Sequence, residues 1–342
     1  GLPGNTITDV IQDSNGYILL GTYEGLIIFD GVKFEAKSRS QSPEFRFVSA
    51  RSIFEDSRKN LWIGANDEGV TVITADRNIL YYNDEMALPN NSIRSFCEDK
   101  EGNVWVGTAN GLVVFDKDFM PHTPKGIESL PKGNTYLVTH LYCDTDGRVW
   151  IASRDDEGVF YYEDGKFNSY SGLKKSETAL ISYVTQDCKG NYWFGLNSRV
   201  VVKVSDDTKE YYDIGFGISK GFSINSIMED VEHNIWIATD SGIAIITEDG
   251  RIINFDQIHG LADEKINRII QDREHNIWIA TDRGGIQKIN KAKFRTVSLI
   301  QTVNAIAEDP VRGVVWLGCD NGLLCQKDND LVENEITRNF KN

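Results

Sequence analysis

The sequence is poor in the residue types that most often carry chemistry. Its 342 residues include only five His and five Cys. The cysteines, Cys97, Cys143, Cys188, Cys319 and Cys325, form no C-x-x-C pair, so a metal cluster is not expected and buried, inert thiols are. His122, His140 and His259 are scattered, with no H-x-x-x-H or H-E-x-x-H spacing, and His233 and His275 share a turn slot; no metal site is expected among them. Positive charge is scarce as well. Lys plus Arg total 36 against 51 Asp plus Glu, a net charge of −15 and a pI near 4.8. Phosphate backbones need a basic surface, so a nucleic-acid partner is excluded. No apolar run approaches the 18 residues of a membrane span, and Gly1 opens no basic-then-apolar leader. Contact with a membrane is therefore expected only through anchor segments outside this sequence. There is no G-x-S-x-G, no phosphate-binding glycine loop and no paired nucleophile and base. The acidic loops "NDEG" (66–69) and "RDDEG" (154–158) lack the full calcium-loop pattern, and "DTDG" (144–147) is only a fragment of it. No catalytic residue, metal or cofactor is expected.

What the chain has is repetition. "NIWIATD" occurs at 234–240 and again at 276–282. Both copies follow an Asp by four residues, and the same frame recurs six more times along the chain. The anchoring acids are Asp13, Asp56, Asp99, Asp144, Asp187, Asp230, Asp272 and Asp309, spaced by 43, 43, 45, 43, 43, 42 and 37 residues. Seven units carry one Trp each, at 62, 105, 150, 193, 236, 278 and 316, and the first has Leu19 in that slot.

A period of about 43 residues, with short apolar runs and a turn signal every ten or so, suits four short strands. The turn after the anchoring Asp holds Gly16, Gly102, Gly147 or Gly190 in four units, a spelling for positive φ in a tight hairpin. Runs such as "GLVVF" and "RVVVKV" are apolar on successive residues, as in sheets covered on both faces. The fold class is all-β: a β-propeller of four-stranded blades, in which Trp fills the space between blades and the Gly or Ala two residues later makes room. The repeated Asp is expected to accept hydrogen bonds from turn amides. One closed ring of eight blades over residues 1–342 is expected, in preference to seven blades with the eighth unit opening a second ring, because a spare blade exposes an apolar edge.

The recurring pattern of an apolar residue, Glu/Gln/Thr-Asp, a turn, "WIGT" and "GL" resembles the two-component regulator propeller repeat. The opening "GLPGNTITDVIQDSNGYILLGTYEGLIIFDGVKF" is similar to the first repeat of such domains. The resemblance covers all eight units. It departs from the family in that count, since members commonly form seven-bladed rings, sometimes two in one chain. It departs also in Leu19 and in Arg199, which replaces the Gly of "GL". The resemblance implies a non-catalytic ligand-sensing domain of a bacterial membrane signalling protein. Such a domain lies outside the membrane, periplasmic or extracellular, and upstream of a histidine kinase or diguanylate cyclase. It implies an environmental signal, with an oligosaccharide as one ligand class, and a homodimer in the full-length sensor. The alternative is a propeller polysaccharide lyase or hydrolase, which would gather His, Glu and a metal or an acid pair at one end of the channel.

Ligand-binding residues are sought where the repeat is broken. The loops between second and third strands and those into the next blade share one face of a ring, and departures there are free to serve binding. Arg199, Arg283 and Arg154 break the pattern in those loops, and the longest interblade loops add Arg46, Phe47, Tyr136 and Tyr170. Aromatic faces and arginine forks suit sugars and carboxylates.

Overall fold

A computed structural model of the chain describes residues 4–41, 43–154, 158–178, 181–196, 198–205, 208–215, 223–290, 303–309, 311–320, 322–327 and 330–332. Eight antiparallel sheets appear, seven of four strands and one of three. In sheet one the strands are Ile7–Gln12, Ile18–Thr22, Gly25–Phe29 and Phe34–Lys37, paired in chain order. Sheets two to six begin with Ser52–Glu55, Ile93–Glu98, Val138–Cys143, Ile181–Gln186 and Ile224–Glu229. Sheet seven comprises Ile266–Gln271, Ile277–Thr281 and Ile286–Ile289; residues 291–302, where its fourth strand would fall, lie outside the described residues.

The hairpin after each first strand is built by the anchoring Asp. Asp56 Oδ1 accepts from the backbone N–H of Arg58 (3.0 Å) and Asn60 (2.8 Å), and the Asn60 amide also donates to it. Its other oxygen accepts the Trp62 indole N–H at 3.0 Å. The same indole bond recurs at Trp105–Asp99, Trp150–Asp144, Trp193–Asp187, Trp236–Asp230 and Trp278–Asp272, between 2.7 and 2.9 Å. The turn amides were legible from the Asp; the indole bond was not. Positive φ falls in the expected slot, at Gly16, Lys59, Gly102, Gly147, Gly190, His233 and His275. Each of the six Trp rings of the first seven units is at most 5% exposed. Trp62 packs with Ile93, Phe96, Val104 and Val106 of the following sheet, so the tryptophans are interblade filler. A Cβ on Gly64, Gly107 or Gly195 would lie 2.4–2.7 Å from Ile93, Val138 or Ile224, which is why the slot is small.

Eight sheets answer the eight repeats, but their division differs from a single eight-bladed ring over 1–342. Residues 1–291 form one compact unit and 292–342 another. Within the first unit, sheet one packs on both sides. Leu19, Leu26, Ile53 and Ile63 join it to sheet two, while Ile7, Val10, Leu20, Trp278 and Ala280 join it to sheet seven. Asn267 Nδ2 donates to the Ile7 carbonyl (2.8 Å), and the Gly285 N–H to that of Asn5 (2.8 Å). The ring therefore closes at seven sheets, because the face of sheet one that an eighth blade would cover is already buried. The second unit holds its own sheet, Val303–Asp309, Val314–Cys319, Gly322–Lys327 and Asp330–Val332.

Candidate functional site

The first strands run side by side around the axis of the ring. Five positions before each anchoring Asp, at the second residue of six of these strands and just ahead of Ser52–Glu55 in sheet two, stand Thr8, Arg51, Arg94, Thr139, Ser182, Asn225 and Asn267. All seven line a cavity of about 470 Å³. Its rim is completed by residues at the ends of the second strands, among them Tyr23, Arg154, Asp240 and Asp282. The face expected to serve binding is thus the face that carries the cavity.

One side of this mouth carries three arginines. Arg51, Arg94 and Arg154 come from sheets two, three and four, and no carboxylate of the described residues lies within ion-pair distance of any of them. Arg51 Nη1 donates to the Asn66 side chain at 2.8 Å. Arg94 Nε is buried without a hydrogen-bond partner. Burial lowers the pKa of Arg94, and the neighbouring guanidinium groups of Arg51 and Arg154 lower it further. Donors held close together without an acceptor are costly to a protein and useful to an anion.

One residue further along the first strands lies a linked belt, in which Arg268 Nε, like Arg94 Nε, is buried without a hydrogen-bond partner. Arg268 donates to the Tyr183 hydroxyl (3.1 Å) and lies 3.7 Å from buried Asp9. Asp9 in turn accepts the Ile53 N–H at 2.9 Å. Burial raises the Asp9 pKa, with Arg268 and these N–H groups acting against it. Tyr183 stacks on His140 with centroids 3.8 Å apart. Channel water reaches the edge of His140, but surrounding protein pulls its pKa down to about 3, desolvation first and the Arg268 charge second. His140 is therefore neutral near pH 7.

Of the residues chosen from the sequence, only Arg154 lines the cavity. Phe47 and Tyr136 are each 1% exposed and belong to the interblade cores, so neither can touch a ligand. Tyr170 wedges between Trp150 and Phe194, at 5.1 and 5.2 Å, and serves packing too. Arg46 lies over the ring of Tyr81, on the outermost strand of sheet two. Arg199 pairs with Asp213 at 3.1 Å, on the outer strand of its own sheet. The Arg283 backbone N–H is held by Asp263 (2.8 Å), and its guanidinium lies 3.8 Å from the same carboxylate. The three pattern-breaking arginines thus do not open together into the channel. Arg51, Arg94 and Tyr23 were missed. A signal for the first two existed: aligned on the anchoring Asp, the slot five residues earlier is polar in every unit and is Arg in two adjacent ones.

A ring of four-stranded sheets, with a repeated hairpin at one end and a variable cavity at the other, defines the class: a β-propeller. The sequence model of the two-component regulator propeller family matches residues 1–24, 87–110, 132–155 and 260–283. Four of its units thus match the two-component regulator propeller repeat. Among curated proteins none matches the sequence. Among solved structures it is similar to the extracellular domain of the hybrid two-component system BT3049 from B. thetaiotaomicron. Identity is 21% over 98% of this chain and 48% of that one, with a TM-score of 0.70. A second extracellular domain from the same organism, that of BT4673, gives 21% identity, 97% and 46% coverage and a TM-score of 0.66. Virginiamycin B lyase from Staphylococcus aureus, solved with quinupristin, gives 13% identity, 84% and 96% coverage and a TM-score of 0.68. The chain spans about half the length of the two sensor domains it matches. At these identities the likeness is one of fold.

Proposed function

We propose that this chain is a non-catalytic, extracytoplasmic ligand-sensing domain of a bacterial two-component signalling protein, and that its ring receives an anionic ligand at the channel mouth. The observation that carries the ligand class is the group Arg51, Arg94 and Arg154, which has no carboxylate partner among the described residues of a protein with net charge −15. Guanidinium forks recognise carboxylate and sulfate in bidentate fashion. Tyr23, 55% exposed at the same rim, offers a flat apolar face beside them. Stacking plus charge is the recognition kit for an acidic oligosaccharide, one bearing uronate or sulfate.

The sensing role is supported by the repeat family and by likeness to extracellular domains of two-component systems. Shared fold with a lyase is weaker support for catalysis, because function resides in the site. The cavity is lined by one His, neutral and stacked beneath Tyr183, and by no Glu.

Calorimetric titration of the chain with an oligogalacturonate, a sulfated oligosaccharide and a neutral gluco-oligosaccharide tests the reading. Binding of an acidic oligosaccharide that weakens with added salt, and is lost in Arg51→Ala/Arg94→Ala, is expected. Equal binding of the neutral sugar, or undiminished binding by the double variant, overturns it.

A further inference from the structure

Adjacent sheets are clasped at the hairpin end by a repeated contact. The residue after one anchoring Asp donates to the acid or amide that precedes the next. Ser14 donates its N–H and hydroxyl to Glu55 (2.6 and 2.9 Å), Ser57 does so to Glu98 (2.7 and 2.6 Å), and Thr145 does so to Gln186 (3.1 and 2.9 Å). Between sheets five and six the donor is Cys188, whose N–H reaches Glu229 at 2.6 Å. Here the turn slot facing the clasp, Gly16, Gly102, Gly147 or Gly190 elsewhere, is His233. Three metal-ligand types thus converge. Cys188 Sγ lies 3.2 Å from Glu229 Oε1 and 3.3 Å from His233 Nδ1, and that nitrogen lies 3.0 Å from the same carboxylate oxygen.

We propose that Cys188, Glu229 and His233 form a three-ligand site for a divalent zinc-like cation, bridging the fifth and sixth sheets. Bond lengths of about 2.0–2.3 Å to N, O and S place tetrahedral ligand atoms roughly 3.3–3.7 Å apart, so the triad needs to open by only a few tenths of an ångström. Thiolate, imidazole and carboxylate together favour zinc over magnesium or calcium, which prefer oxygen alone. Cys188 and His233 are exposed, so an ion can enter and water can complete the fourth corner. The scaffold is fixed independently of the ion. Glu229 ends a strand, and the His233 N–H is held by the Asp230 carbonyl at 2.9 Å. Lys189, the adjacent cation, is turned to Glu248 at 3.1 Å. Binding displaces the thiol proton. The neighbouring interface is a built-in control: His275 occupies the same turn, but its clasp residues are Val231 and Gln271.

Cobalt(II) titration of the chain, followed by zinc competition, provides the test. The wild type should show a thiolate-to-cobalt charge-transfer band that zinc abolishes, and zinc should protect Cys188 from a thiol reagent. Cys188→Ser restores the Ser found in sheets one and two and His233→Gly restores the commonest turn residue, so both variants keep the clasp and the fold. The first should lose the band, and the second should bind about 10- to 100-fold more weakly. A wild type without the band, a band that survives Cys188→Ser, or equal zinc affinity in His233→Gly overturns the site.

Discussion

The two ends of the seven-sheet ring solve opposite problems. At the hairpin end the anchoring carboxylates gather donors: Asp56 takes two backbone N–H groups, the Asn60 amide and the Trp62 indole, and is 3% exposed. At the channel mouth three arginines come together, and Arg94 keeps a buried Nε with no hydrogen-bond partner. The first arrangement recurs in each unit because each blade must turn and pack in the same way. The second occurs once, on three neighbouring sheets. Repetition marks what stabilises this ring.

The sharpest way to break that contrast is to mutate both ends and compare stability. Trp62→Ala removes a fully buried ring and leaves Asp56 short of a donor. It should cost about 3–5 kcal/mol in urea unfolding. A cost below about 1 kcal/mol would mean that the indoles do not hold the blades. Gly107→Ala comes next. Its Cβ would sit 2.5 Å from Val138 Cγ1, a buried β-branched group with little room to move, so about 1–3 kcal/mol should be lost. Tolerance of alanine there would remove the close-approach account of the small slot.

His140 sharpens the comparison through pH. Its pKa is about 3 in the folded chain and returns to about 6.5 on unfolding. Between those values the unfolded chain holds the extra proton, so stability falls as pH falls through that window, by at most about 1.4 kcal/mol per pH unit from this group. His140→Phe, which preserves stacking on Tyr183, should flatten that part of the acid limb in a series of melts; an unchanged slope places the acid sensitivity elsewhere. The smallest expected effect is at the arginines. Arg94→Met should leave stability unchanged or raise it by up to about 1 kcal/mol while abolishing binding of an acidic oligosaccharide, the trade expected at a site kept for function. A clear loss of stability would show the arginine cluster to be structural.

Much of this was legible in the spacing of one acid. Asp13 to Asp309 gave the number of sheets, the hairpins and the one-per-blade Trp, because a tight turn and an interblade filler each demand a particular residue at a particular place. The face carrying the cavity was legible for the same reason: strand alternation puts the second-to-third loops and the interblade loops together. The choice of residues on that face was not. Phe47, Tyr136 and Arg199 stand in long or irregular segments, yet the first two are core and the third answers Asp213. Loop length says that a residue departs from the repeat, not where its side chain points.

By itself the sequence determined the repeat, the strands, the all-β class and the acidic, His-poor character. These depend on local periodicity and composition, which a linear reading contains in full. Only the tertiary structure decided where the ring closes, which seven side chains meet around its axis, and that Cys188, Glu229 and His233 come within 3.3 Å of one another. Each of these joins residues about one blade or more apart in the chain. Closure in particular depends on whether sheet one finds its second neighbour in the seventh repeat or the eighth. Similar local signals allow both, and the packing of Ile7, Val10 and Leu20 against Trp278 and Ala280 shows that it is the seventh.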